Sequence, residues 1–96
     1  MCRNIRILHH FEPPTTKEEI EAAAVQYVRK VSGLQKPAGP DRDAFDRTTR
    51  QIAQLTEKLL ASLSTRGVAR TREGEREKAR ARWKQREGRI AARAVR

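Results

Sequence analysis

The sequence predicts an all-α fold, namely an antiparallel two-helix hairpin with an N-terminal arm and a basic helical C-terminal tail. Apolar residues recur at helical spacing in two stretches, and a loop containing Pro37, Gly39 and Pro40 separates the stretches. The end of the chain is rich in Arg, Ala, Glu and Lys, which are good helix formers. The chain therefore divides into a small helical domain over residues 1–64 and a basic tail over residues 65–96, which we expect to be helical or partly disordered.

The first helix carries a start signal and an end signal. Thr16 can act as its N-cap, and Glu19 can reach back to the Thr16 amide to complete a capping box. Gly33 suits a left-handed C-cap. We expect one face of this helix to supply half of the core. Its apolar stripe consists of Ile20, Ala24, Tyr27 and Val31, with Val28 beside it.

A second helix is predicted from about residue 42 to residue 64, with Asp41 or Asp43 as its cap. The short loop before it lets it fold back antiparallel on the first helix. We predict that Leu55 and Leu59 face the stripe of the first helix, including Ile20, Tyr27 and Val31. The apolar positions of the second helix are Phe45, Thr49, Ile52, Leu55, Leu59 and Leu63, with Leu60 alongside.

The N-terminal arm allows two interpretations. Ile5 and Ile7 alternate with Arg6 as in a strand, whereas Ile5, Leu8 and Phe11 recur as in a helix. A short strand would have no partner in this chain, since a sheet needs at least a second strand. We therefore predict an irregular or short helical arm that packs on the core.

Positive charge is concentrated at the end of the chain. The net charge is +10; residues 65–96 hold twelve Lys and Arg against four acids, and residues 1–64 hold ten against eight. A basic tail beside a nearly neutral domain indicates a polyanionic partner such as nucleic acid, the ribosome or an anionic membrane surface. The alternative is that the charges form a solvated surface that keeps the protein soluble.

On a helical wheel the cations of the tail form two rows with a narrow apolar seam between them. Trp83 lies in this seam, where it could stack on a base, anchor at a membrane interface or pack on the domain. The small seam disfavours strong membrane insertion, and Arg86 and Arg93 at seam positions exclude coiled-coil heptads. The residues predicted to bind nucleic acid are Arg72, Arg76, Arg80, Arg82, Trp83, Lys84, Arg86, Arg89 and Arg93.

A second basic patch is predicted on the domain itself. Arg3 and Arg6 would join Arg29 and Lys30 if the arm lies over the end of the first helix. Arg29 and Lys30 are explained equally well by the negative end of the helix dipole, which favours cations in the last turn.

Cys2 is the single cysteine, so an internal disulfide is excluded and a reducing, cytoplasmic location fits best. No apolar run approaches the roughly 18 residues that span a membrane. The first residues are too polar for a signal peptide. We therefore expect a cytoplasmic protein with no membrane span, and its lean core also allows a homo-oligomer.

Cys2, His9, His10 and Glu12 are of metal-ligand types, but their spacing matches no zinc motif. Cys2 as a nucleophile would need a pocket, and a chain of this size can hardly enclose the more than about 300 Å³ that substrate cavities usually have. We predict no catalytic residue, no bound metal and no cofactor. An enzyme or metal protein based on Cys2 and a histidine remains a third hypothesis.

Several short motifs also occur along residues 1–63. They are Met1-Cys2-Arg3-Asn4-Ile5, Phe11-Glu12-Pro13-Pro14-Thr15, Gln26-Tyr27-Val28-Arg29-Lys30-Val31-Ser32-Gly33, Lys36-Pro37, Ala44-Phe45 and Leu59-Leu60. In this order they resemble the DUF2277 family, small bacterial and fungal proteins that contain a domain of unknown function. The resemblance implies a small, helical, intracellular protein, and it implies no activity, ligand or catalytic residue.

The sequence therefore predicts a non-catalytic small basic protein that associates with nucleic acid or the ribosome through its Arg-rich tail. The alternative is a helical protein-interaction or structural module whose tail keeps it soluble.

Overall fold

The computed structural model describes residues 5–94. In this range the chain forms three helices, α1 (Lys17–Ser32), α2 (Pro40–Ser62) and α3 (Arg72–Ala94), and no strand. The all-α class is confirmed. The description as a two-helix hairpin is wrong, because the basic tail forms a third helix of 23 residues, as long as α2.

Both ends of α1 follow from local sequence. The Thr16 hydroxyl accepts a hydrogen bond from the Glu19 N–H at 3.2 Å, and the Glu19 carboxylate accepts one from the Thr16 N–H at 2.9 Å. At the other end Gly33 adopts φ 76°, a left-handed conformation that glycine enters without a steric penalty, and its N–H donates to the Arg29 carbonyl. The predicted capping box and C-cap of α1 are therefore confirmed.

The start of α2 differs from the prediction. The helix begins at Pro40, because proline has no N–H to leave unpaired and its ring presets a helical φ at the first position. Gly39 precedes it and makes no side-chain cap. Asp41 and Asp43 lie in the first turn, where they interact favourably with the helix dipole, so neither is the cap that we predicted.

α1 and α2 pack against each other and run antiparallel. Lys17 at the start of α1 lies near Glu57 late in α2, whereas Val31 at the end of α1 lies near Asp41 at the start of α2. The core lies between these two helices, and the arm covers one side of it through Leu8. Its buried residues are Ile20, Ala24, Val28 and Ala53. Ile20, Ala24 and Ala53 form one cluster, and partly buried Leu8, Ile52 and Leu60 pack against it.

The predicted register of the two helices is wrong. Leu55 is 66% exposed and Leu59 is 55% exposed, so neither faces α1. Tyr27 and Val31, their expected partners, are also exposed. Ala53 faces α1 instead, because two helices approach closely where small side chains meet.

α3 begins after its own cap. The Thr71 hydroxyl accepts a hydrogen bond from the Gly74 N–H at 2.9 Å, and a Cβ on Gly74 would lie only 2.8 Å from that hydroxyl. Within the described residues the backbone of α3 approaches neither α1 nor α2 closely, and α3 contacts α1 through the side chain of Arg72. The radius of gyration is 17.3 Å, against about 12.5 Å for a compact domain of this length. α3 therefore projects from the rest of the chain.

None of the helices within residues 5–94 is long and apolar enough to cross a membrane.

Candidate functional site

Except for Arg72, which is partly buried, the predicted nucleic-acid-binding residues lie on a continuous exposed surface of α3. At 1.5 Å per residue its 23 residues extend over about 34 Å. Every residue from 76 to 93 is exposed to solvent. The helix therefore presents its cations along its length without burying any of them.

Some of these cations have acidic partners on the same helix. Arg80 pairs with Glu77 at 2.8 Å, and Lys78 lies 3.7 Å from Glu75. Such exposed pairs contribute little free energy, so a polyanion can compete for both cations. Within the described part of the chain the remaining cations of the predicted site have no carboxylate within 4.0 Å; these are Arg76, Arg82, Lys84, Arg86, Arg89 and Arg93.

Trp83 is half exposed, at 50% of its surface. The Arg86 guanidinium lies 5.9 Å from the centre of its ring, within the range of a cation–π contact. The indole thus presents a planar apolar surface among cations on the same helix.

Arg72 has a different environment from the other predicted residues. Its guanidinium donates to both Glu19 carboxylate oxygens, at 2.6 and 3.0 Å, and to the carbonyls of Pro13 and Pro14. It also lies 5.5 Å from the centre of the Phe11 ring. Since its donors are engaged within the protein, these contacts do not favour Arg72 as a phosphate ligand, and the first turn of α3 is tied to the start of α1.

Glu19 joins two elements through one carboxylate. The Arg72 hydrogen bond, followed by the backbone hydrogen bond from Thr16, lowers the pKa of Glu19 from 4.5 to about 2. Reciprocally, Glu19 raises the pKa of Arg72. The capping box of α1 is visible in the sequence, but the ion pair joins residues 53 positions apart, which no local pattern indicates.

The arm is held by the residues just before α3. The Arg70 N–H donates to the His10 carbonyl at 2.8 Å, and the Glu12 N–H donates to the Arg70 carbonyl at 2.9 Å. Phe11 and Arg70 thereby form an isolated parallel bridge. The His10 ring nitrogen Nε2 also lies 3.1 Å from the Gly67 carbonyl. The arm therefore has a backbone partner, which lies in the segment that we had assigned to the tail.

We expect the Glu19–Arg72 pair to make stability depend on pH. Because the folded pKa of Glu19 is depressed, its contribution is present above pH 4.5 and is lost as the pH falls towards 2. Glu19→Gln should therefore lower the midpoint of thermal unfolding near neutral pH, and the difference from the wild type should shrink across this range.

Glu18→Gln is the matched control for this experiment, because Glu18 lies exposed in the same helical turn. Thermal melts followed by circular dichroism at a series of pH values measure both variants. A difference between wild type and Glu19→Gln that stays constant as the pH falls would contradict the assigned role of this carboxylate.

The predicted basic patch on the domain is not assembled by any contact in the described residues. Arg3 lies outside them, and Arg6 is exposed. Arg29 and Lys30 lie in the last turn of α1, where they interact favourably with the dipole. The hydrogen bonds of the arm run to Gly67, Arg70 and Arg72 and not towards these two residues.

An open groove of about 700 Å³ lies on the surface between α1 and α2. Its lining includes apolar Val25 and Phe45 and charges of both signs, among them Lys17 and Glu57. It includes neither histidine. Cys2 lies outside the described residues, and within these residues no group of three or more His, Cys, Asp and Glu could hold a metal ion.

A sequence model for the family described as "Uncharacterized conserved protein (DUF2277)" matches residues 1–78. The match therefore extends past the resemblance over residues 1–63 and includes Arg70 and Arg72, which hold the arm and the start of α1. Neither the curated proteins nor the solved structures yield a match.

Proposed function

The chain belongs to the DUF2277 family of uncharacterized conserved proteins, and because the family description names no activity, we propose from the chemistry of α3 that the protein binds nucleic acid without catalysis. The observation that carries the proposal is the exposed surface of residues 76–93, on which most cations have no carboxylate partner in the described residues. The partner that we propose is free or ribosomal RNA. The location that we propose is the cytoplasm, because a chain with a single cysteine fits a reducing compartment.

The first argument is electrostatic. Cations that replace counterions condensed on a phosphate backbone gain free energy from the release of those ions. Arg82, Arg89 and Arg93 share one side of α3, and Arg76 and Lys84 share the other, so two lines of phosphates can be contacted at once. Because no tertiary contact has to be broken to reach them, the binding surface is preorganised once α3 is helical.

The second argument concerns the base. Trp83 lies among these cations with half of its surface exposed, and the Arg86 guanidinium lies over its ring, 5.9 Å from the ring centre. Aromatic side chains stack on unpaired bases, and an adjacent guanidinium adds a cation–π contribution. This arrangement favours single-stranded RNA over a duplex, whose bases are already stacked.

The alternative function, a protein-interaction module, is favoured by a separate observation. Leu55 and Leu59 are exposed large apolar side chains on α2, far from the cations of α3 in the sequence. Such a surface does not contact phosphates, and it can serve a second role alongside nucleic-acid binding.

The test of the proposed function is charge reversal on α3. We expect the Arg82→Glu, Arg86→Glu, Arg89→Glu and Arg93→Glu variant to lose binding to single-stranded RNA. For the wild type, log affinity should fall with log salt at a slope of about −0.7 per phosphate contacted. Fluorescence anisotropy of labelled RNA and of duplex DNA over a salt series measures both.

A variant with the same change in net charge elsewhere is the control. Lys36, Arg42, Arg47 and Lys58 are exposed and lie outside α3, so their reversal to Glu should leave most of the affinity intact. An equal loss of RNA affinity in both variants would mean that binding depends on the total charge of the protein and not on the surface of α3. Absence of wild-type binding at low salt would refute the proposal.

A further inference from the structure

We infer that the protein forms a two-fold symmetric dimer in which α2 packs against α2 of a second copy. The contact uses a strip of α2 that we call the uncharged face. Its residues recur at helical spacing and all are exposed; they are Ala44, Thr48, Gln51, Leu55, Leu59 and Ser62.

The uncharged face is distinct from the side of α2 that packs on α1. Ala53 and Leu60 point towards the core, whereas Leu55 and Leu59 lie about 100° or more from both of them around the helix, at about 100° per residue. Leu59 borders Ile52, the partly buried residue at the edge of the core side. α2 thus has a second uncharged side, whose large apolar residues are Leu55 and Leu59, and only the side towards α1 is covered. The charged residues between positions 44 and 62 lie outside the uncharged face; they are Asp46, Arg47, Arg50, Glu57 and Lys58, and three of them, Asp46, Arg50 and Glu57, line the groove between α1 and α2.

The uncharged face continues onto α1. A groove of about 310 Å³ between the end of α1 and the start of α2 includes Thr48 in its lining, together with exposed Tyr27, Val31 and Leu34. Asp41 is the one charged residue in this lining. A partner helix that packs on Leu55 and Leu59 can therefore extend into a further apolar surface. The contact is larger than one strip of a single helix.

The chain exposes more surface than a compact monomer of its mass. The accessible surface is 8383 Å², whereas a compact monomer of 11.0 kDa exposes only about 5,600 Å². The projection of α3 accounts for part of this excess. A stable dimer buries about 800 Å² of each partner, so the inferred contact has to include the adjoining groove as well as the uncharged face.

The charge distribution identifies a second copy as the occupant. A face without cations has nothing to offer phosphates, so nucleic acid does not fit it. An isologous contact places the same patch of the two copies face to face, so charges of one sign on that patch would repel each other across the interface. The uncharged face is free of that repulsion over five turns, in a chain that carries +10.

Two-fold symmetry also places one residue at the centre. Gln51 is the midpoint of α2 (Pro40–Ser62), so in a centred antiparallel α2 pair it lies next to Gln51 of the other copy. A glutamine amide both donates and accepts hydrogen bonds, so two of them can pair across the axis. The dimer is independent of the proposed function, because no residue of α3 takes part in this contact.

The test uses the full-length protein after nuclease treatment, with mass measured by sedimentation equilibrium or light scattering over a concentration series. We expect the wild type to dimerise. Gln51→Glu and Gln51→Lys should each raise the dimer dissociation constant about tenfold or more, because like charges then meet at the axis. An equimolar mixture of the two variants should restore the dimer, since opposite charges meet instead.

Gln54→Glu and Gln54→Lys are the matched controls, because Gln54 is an exposed glutamine on the charged side of the same helix. They should leave the dissociation constant unchanged. A monomeric wild type, a dimer insensitive to substitution at Gln51, equal effects at Gln51 and Gln54, or no recovery on mixing would each overturn the inference. Helicity by circular dichroism ensures that every variant compared is folded.

Discussion

We expect deletion of residues 79–96 to remove nucleic-acid binding while leaving the melting temperature of the rest of the chain nearly unchanged. The deletion takes away Arg82, Lys84, Arg89 and Arg93, so the affinity for RNA should fall by on the order of a hundredfold at low salt. It removes no contact between α1 and α2, because the backbone of α3 approaches neither of them closely in the described residues. Anisotropy titrations and thermal melts of the two proteins measure these effects.

A longer deletion, of residues 65–96, provides the comparison. It also removes Arg70 and Arg72, so Glu19 loses its ion pair and the arm loses its backbone bridge. We expect this protein to bind no better than the shorter deletion and to melt at a lower temperature. Identical melting of the two truncated proteins would mean that the Arg70 and Arg72 contacts do not stabilise the fold, and full affinity in the shorter deletion would refute binding through α3.

Ile20→Ala should destabilise the protein by roughly 2–5 kcal/mol, because it empties the centre of the core. Ile20 is only 6% exposed, and it packs with Ala24 and Ala53, which are too small to fill the space left behind. With so few buried side chains, a loss of this size can remove cooperative folding. Urea denaturation followed by circular dichroism measures the free energy of unfolding.

Leu59→Ala provides the contrast, since sequence periodicity placed Leu59 in the core and the structure leaves it more than half exposed. At concentrations where the protein is monomeric, Leu59→Ala should lower the free energy of unfolding by at most about 1 kcal/mol. Ile20→Val, which removes a single methyl group, should cost about 0.5–1.5 kcal/mol and tests whether the site is tightly packed. A greater loss from Leu59→Ala than from Ile20→Ala would contradict the observed helix register.

The part of the candidate site that lies on a single helix could be predicted from the sequence. Residues 76–93 lie on a single exposed helix, so the order of cations along the chain already describes the order on the surface. Their role in binding nucleic acid stays a prediction. Arg72 shows the limit of that reasoning, because its helical position resembles that of Arg76 while its partner, Glu19, comes from another helix.

The sequence alone determined the all-α class, both ends of α1 and the concentration of positive charge near the end of the chain. These features depend on residues within about four positions of one another, as in the capping box of Thr16 and Glu19. The tertiary structure decided which side of α2 is buried and what the segment before α3 contacts. Both depend on how closely two backbone segments approach each other. The small side chains of Ala24 and Ala53 permit a close approach of α1 and α2, and hydrophobic periodicity carries no information on that distance. For the same reason only the tertiary structure shows that Arg70 and Arg72 connect the arm, α1 and α3.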